Sequence, residues 1–402
     1  MRDSVRFVSP SEKRQVIIAA VFLLVLSGPY FCWWITKNVM LKWLATLALG
    51  YIFFKQKGRL SKTDLNVVVI YVIAFVFNLL LALLKDRITI FGLIDTIPSL
   101  FLVYLLCSNI DFCKKAYTYF TFLFAILMCL SIIAQLLSLS GALPSTGTIV
   151  NNAQDRVYTV YPFLIKEQVL DIYNLTGTRF AGAYDEPGAI GTIAAVILCI
   201  EQFRLSNWKN IIFLITGLMS MSLAFYIILV VYGLLYASVV RKKILLTFLI
   251  ISSFFLFYRY TKDDPTFETL IWERLEWDEE KQGLAGENRM VGDADSYFDS
   301  HIKGTSAYWF GLTDTTEFWK AAEGSASYKV VIAQNGMIFL ALYILCFVWL
   351  AFNYKSNKFD VIIFMTLLLA NTMQRPNMYS PLWIFLYAYY ARINDEQQLL
   401  KS

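Results

Sequence analysis

The chain has 402 residues, is 58% hydrophobic and only 16% charged, and carries a formal net charge of +5. Soluble domains are about 45–50% apolar, so a soluble enzyme is excluded and a polytopic membrane protein is expected. The single histidine, His301, excludes a His-rich metal centre, and six cysteines without a C-x-x-C pair argue against a cysteine metal site or a disulfide framework.

The first 15 residues carry Arg2, Arg6, Lys13 and Arg14, like the charged start of a signal peptide. The apolar run behind them, 16–36, is too long for a cleaved signal core and has no clear small-residue cleavage site, so it is the first retained span. Apolar runs then predict helices at 39–54, 65–84, 90–107, 116–138, 188–203, 209–221, 223–240, 244–258, 326–351, 359–373 and 379–391. The expected architecture is an all-α polytopic membrane protein, about twelve transmembrane helices in a single membrane-embedded domain over 1–402. Two long segments, 139–187 and 259–325, interrupt the spans.

The run 209–240 is one long helix or a tight pair broken near Gly217 to Ser222. The positive-inside rule favours the pair. With both termini cytoplasmic, the basic clusters at Lys55–Lys62, Lys114–Lys115 and Arg241–Lys243 all fall inside, and the short outer loops keep Lys37, Lys85, Arg87 and Arg375. A single helix would put Arg241, Lys242 and Lys243 outside. This topology places both long loops on the outer face. Their length and aromatic content argue for function rather than disorder.

Candidate site residues concentrate on that face. "GTRFAGAYDEPGAIG", from Gly177 to Gly191, directly precedes an apolar helix. Arg179 offers a planar fork of donors suited to phosphate oxygens. Gly177 and Gly182 permit close approach of backbone to a ligand. Asp185 and Glu186 are candidate acid–base groups, although Pro187 behind them makes helix capping the competing role. In "NTMQRPNMYSP", Arg375 stands between two prolines and among Asn371, Gln374 and Asn377, a set suited to phosphate or sugar hydroxyls; a snorkelling arginine is the alternative. The second long loop holds Arg274, Arg289 and His301 with Trp272, Trp277, Trp309 and Trp319. An interfacial belt explains Trp272 and Trp319 better than Trp309, which suits a saccharide groove. Asp95 lies inside a predicted span beside Pro98 and is assigned a structural role within reach of Lys85 or Arg87.

The order of these features resembles the O-antigen polymerase and O-antigen ligase superfamily. The family pattern of Arg, Gly, aromatic, then an acid or amide before Pro matches Arg179, Gly182, Tyr184, Glu186 and Pro187, and the approach to an Asn-Gly pair matches Ser325 to Gly336. The resemblance runs from about Gly177 to Pro381; the earlier spans match only in hydrophobicity. Where the ligase branch has a catalytic histidine, this chain reads Gly324-Ser325-Ala326-Ser327-Tyr328-Lys329, which favours the polymerase branch.

The resemblance implies a metal-independent glycosyltransferase, without cofactor, acting on undecaprenyl-diphosphate-linked oligosaccharide at the periplasmic face of the bacterial inner membrane. Membrane lipid, a chain-length regulator and a flippase are the implied partners, and nucleic acid is not. Arg179, Arg375 and Arg289 would bind diphosphate, with Tyr184, Arg274 and Trp309 as further substrate contacts. Glu186, then Asp185, then His301 would serve as base. The alternatives are an O-antigen ligase that uses lipid A core as acceptor, and a lipid-linked oligosaccharide flippase. A flippase would show midplane polar clusters and paired repeats, neither of which the sequence displays.

Overall fold

The computed structural model describes residues 9–56, 61–85, 105, 108–151, 156–168, 179–239, 252, 255–264, 267–278, 283–284, 293–322, 327–355, 357–374 and 380–393. The predicted helix at 90–107 and most of that at 244–258 lie outside them, as does Asp95. Two compact units emerge, Met1–Phe124 with Met290–Ser402, and Ala125–Arg289.

The first unit contains α1 (Pro10–Leu26), the short α2 (Trp33–Thr36), α3 (Val39–Lys55) and α4 (Lys62–Leu84). Serines start two of these helices. Ser9 accepts from the Glu12 amide, and Ser61 forms a reciprocal capping box with Asp64. The chain bends by 101° between α1 and the segment Tyr30–Thr36. The unit boundary falls within α5 (Ile110–Leu139).

The second unit opens with a three-stranded antiparallel sheet, β1 (Gly147–Asn151), β2 (Arg156–Tyr161) and β3 (Leu164–Glu167), in the order β1-β2-β3. Three apolar helices follow: α6 (Pro187–Ile200), α7 (Trp208–Met219) and α8 (Leu223–Val239). The strands Trp277–Asp278 and Gly283–Leu284 form a second small pair. Back in the first unit come α9 (Ala294–Tyr297), α10 (Ser306–Phe310), α11 (Thr316–Ala322), α12 (Tyr328–Tyr354), α13 (Lys358–Gln374) and α14 (Pro381–Arg392). Helix α12 packs against α4, α10, α13 and α14.

The described residues are mostly helical, as expected, but twelve full crossings are not supported. Among the described residues three helices, α4, α5 and α12, are long and apolar enough to cross a membrane, or four if the bent pair near the N-terminus is one span. The reason is length. At about 1.5 Å per residue, the 12- to 17-residue helices reach roughly 18–26 Å, short of the ~30 Å hydrocarbon core. On α4 the outward residues Leu65, Val69, Ile73, Val76, Leu80 and Leu84 are all exposed. An apolar face of that length is unsuited to water and suited to lipid.

The sheet is the other departure from an all-helical chain. Residues 147–167 alternate β-branched and aromatic side chains with polar ones ("TIV", "RVYTVY", "LIKE"), the pattern of a half-buried strand. Phe163, at φ 59°, turns β2 into β3.

Candidate functional site

In the second unit the stretch 179–191 wraps onto the hairpin of α7 and α8. The hairpin breaks where the sequence places it. Ser220 ends α7, Met221 adopts φ 47°, and Leu223 starts α8. The break sits tightly on α6. A Cβ on Gly191 would lie 2.6 Å from both Ser220 Oγ and Ser222 Cβ, so only glycine admits this approach without movement. Within the hairpin, a Cβ on Gly217 would meet the Phe225 ring at 2.1 Å.

Arg179 is directed at this break. Its Nε donates to the Ser220 carbonyl and one terminal nitrogen to the Met221 carbonyl, both at 3.4 Å. The Phe180 amide donates to the Met219 carbonyl at 3.0 Å. The guanidinium therefore lies at the C-terminal end of α7, where helix carbonyls favour positive charge. Gly182, at φ 55°, makes the next turn, with room for a Cβ closed by Ile190, Phe180 and Ser131.

The sheet buttresses the same turn. The Ile165 amide donates to the Gly182 carbonyl at 2.9 Å, Ser131 Oγ donates to the Phe163 carbonyl at 2.6 Å, and the Tyr158 hydroxyl donates to the Asp185 carbonyl at 3.4 Å. This β3 contact brings Lys166 into the neighbourhood, a cation on a strand within 139–187, where the sequence alone predicts a long loop. Burial pushes its ammonium below the ordinary lysine value, and it faces the Tyr161 ring at 5.6 Å. The strand alternation was the signal that would have found it.

Glu186 occupies the N-cap of α6 in extended conformation, but its carboxylate accepts no capping bond. Capping is thus not what its side chain does. Asp185 and Glu186 are both part-exposed, one turn from Arg179. Tyr184 is 1% exposed, so its ring is core of the turn and not a surface for a substrate, contrary to expectation. Behind the acids, α6 is buried from Ile190 to Ile200, an apolar post that fixes the turn.

Arg289 and Arg375 lie outside the described residues, as does the side chain of Arg274. Trp272 is buried in an aromatic cluster with Ile271, Phe257 and Phe267, and its indole N–H donates to Thr261 Oγ1 at 3.1 Å, so it is no belt residue. His301 and Trp309 belong to the first unit. Trp309 is 52% exposed. Its carbonyl fits against Gly336, where α12 is interrupted at φ 82°, ψ 159°. The Leu312 amide donates to the Ala333 carbonyl at 2.8 Å across the interruption. Lys85 Nζ, at the end of α4, donates to the carbonyls of Phe310, Gly311 and Leu312 at 2.6, 2.5 and 3.2 Å. The Leu312 bond thus satisfies an α12 carbonyl near the interruption from within the protein, and Lys85 satisfies the segment that supplies it.

Comparisons with protein-family models, with characterised proteins and with solved structures give no match.

Proposed function

We propose that this chain is a glycosyltransferase of the bacterial inner membrane that polymerises undecaprenyl-diphosphate-linked oligosaccharide repeat units into a surface polysaccharide. The observation that carries the reading is the turn 179–186. There a guanidinium that donates to the Ser220 and Met221 carbonyls and two part-exposed carboxylates lie within eight residues that lead directly into a buried apolar helix. That is the equipment for transfer from a lipid diphosphate.

In the reaction a hydroxyl of the acceptor saccharide attacks the anomeric carbon of the donor. The new C–O bond forms as the bond to the diphosphate oxygen breaks, and the electron pair leaves on the diphosphate. Arg179 neutralises that charge, and an aimed cation serves a diphosphate better than a proton donor. Glu186 takes the hydroxyl proton, with Asp185 beside it. Both termini are cytoplasmic and the reacting face is periplasmic. A flippase supplies the repeat units there and a chain-length regulator ends the polymer.

The test uses the purified full chain in detergent with lipid-linked repeat units as the only substrate, products resolved by size. A ladder of longer lipid-linked chains is expected. Single units that persist until lipid A core is added mark a ligase; no covalent product under any condition removes the transferase reading. Arg179→Lys keeps the charge but loses the fork, and is expected to lose most of the ladder at normal abundance in the membrane. Glu186→Gln is expected to lower kcat far more than KM.

A further inference from the structure

His301 stands on a short segment of the first unit that is fixed from both sides. Ala294, Phe298 and Ile302 are buried, and Lys329, in the first turn of α12, pairs with Asp295 at 2.8 Å. The segment closes with a widened turn, the Lys303 amide donating to the Phe298 carbonyl at 2.9 Å. Such turns are frequent at functional sites. The imidazole is exposed and stacks on Tyr297, centroids 4.4 Å apart and planes 19° from parallel.

The hydrogen bonds around Ser300 point to which ring nitrogen bears the proton. Ser300 Oγ lies 2.5 Å from the Ser296 carbonyl and 3.4 Å from that of Tyr297. A carbonyl only accepts, so the one hydroxyl proton of Ser300 is committed to Ser296. His301 Nδ1 lies 2.7 Å from the same Oγ. Since the hydroxyl has no second proton to give, Nδ1 must be the donor. The neutral ring is then the Nδ1–H tautomer, and Nε2 carries a lone pair. Free histidine prefers the opposite tautomer, so this arrangement is imposed by the serine, as a partner on one ring nitrogen dictates the state of the other.

We propose that His301 Nε2 is a hydrogen-bond acceptor for a donor group of the saccharide, a hydroxyl or an amide N–H, with Ser300 as the positioning residue that keeps the lone pair available. A carboxylate or phosphate oxygen has no proton to offer a bare Nε2, so the group received here is a hydroxyl or an amide N–H. That the ligand is a saccharide rests on the function proposed above. The role is binding and not proton transfer, which separates His301 from Glu186: it acts equally on ground state and transition state, and so on KM rather than kcat.

The single histidine makes the test direct. The full-length chain, labelled with 15N-histidine and purified in detergent, gives the ring nitrogens of one residue only. In the neutral ring, a protonated Nδ1 and a bare Nε2 are expected, and Ser300→Ala is expected to move the proton to Nε2. Lipid-linked repeat units extracted from producing cells are expected to shift the wild-type Nε2 signal, and to shift that of Ser300→Ala much less. In the ladder assay Ser300→Ala and His301→Ala are expected to raise KM about five- to tenfold with kcat within twofold. His301→Gln, which keeps an acceptor oxygen at similar reach, is expected to recover most of the loss. A wild-type proton on Nε2, or an unchanged KM in both alanine variants, overturns the proposal. If the wild-type chain builds no ladder, the polymerase reading falls by itself. The Nε2 shift on adding the same lipid-linked units then still decides whether His301 binds saccharide, and its absence overturns the proposal.

Discussion

Each unit of the molecule directs one cation into backbone carbonyls beside an interrupted helix, yet the two cations are held differently. Lys85 spends three N–H donors on three carbonyls, at 2.5–3.2 Å, where 309–312 fills the break in α12. Arg179 reaches the break between α7 and α8 through two contacts at 3.4 Å, the long limit of a useful hydrogen bond. Three carbonyls within 3.2 Å of one ammonium make the lysine a lock on the backbone. The arginine makes longer contacts with the break and has carboxylates in its own turn. A shared motif thus serves rigidity in one unit and, in our reading, substrate charge in the other.

The comparison breaks most severely at Gly336. An alanine there would sit at a φ, ψ essentially reserved for glycine, with its Cβ 2.3 Å from the Trp309 carbonyl. Gly336→Ala is expected to cost about 3 kcal/mol or more, or to prevent folding. Unfolding of the purified variant in detergent measures it; wild-type stability would mean that 309–312 does not fill the break. Next comes the pair of cations. Lys85→Met is expected to cost about 2–3 kcal/mol, because it strands carbonyls away from water, and Arg179→Met less than half as much, because the two bonds it gives to the Ser220 and Met221 carbonyls are long. Side-by-side denaturation ranks them, and the reverse order would end the distinction between the two cations. The smallest effect is expected at Gly191→Ala. Its Cβ meets serine side chains, which yield more readily than backbone, so a loss of roughly 1 kcal/mol is expected. The same variant nudges Ser220, whose carbonyl accepts from Arg179, and so reduces ladder formation more than its stability cost explains.

The helices were legible because long apolar runs leave few alternatives, and the break at Ser220–Ser222 was legible because basic residues 241–243 needed an inside address. The interruption at Asn335-Gly336 was not. The Asn-Gly pair is a turn signal, but apolar residues on both sides made 326–351 look continuous. The sheet was overlooked for a related reason: strands inside a loop are short, and their alternation is weak beside the hydropathy of the spans. Within the site, Arg179, Asp185 and Glu186 were identified by being charged beside a span. The burial of Tyr184 was not foreseeable, since an aromatic in a glycine-rich turn can point inward or outward, and only the packing of β2, β3 and α6 decides.

The tie between Asp64 and Arg392 has a consequence for biogenesis. Asp64, buried at the start of α4, takes the Tyr354 hydroxyl at 2.8 Å, and the Arg392 guanidinium lies 3.7 Å away and also donates to the Ser108 carbonyl at 2.9 Å. These partners are spread over nearly the whole chain. During synthesis Asp64 leaves the ribosome long before Tyr354 and Arg392 exist. Ser61 bonds one carboxylate oxygen locally, but burying the charge before Tyr354 and Arg392 arrive is costly, so that end of α4 must stay hydrated, or be attended by the insertion machinery, until α14 is made. The second unit, made from one continuous stretch, has no such wait and can mature while the first is still open. A ribosome stalled before Arg392 would therefore display a finished insert inside an unfinished frame.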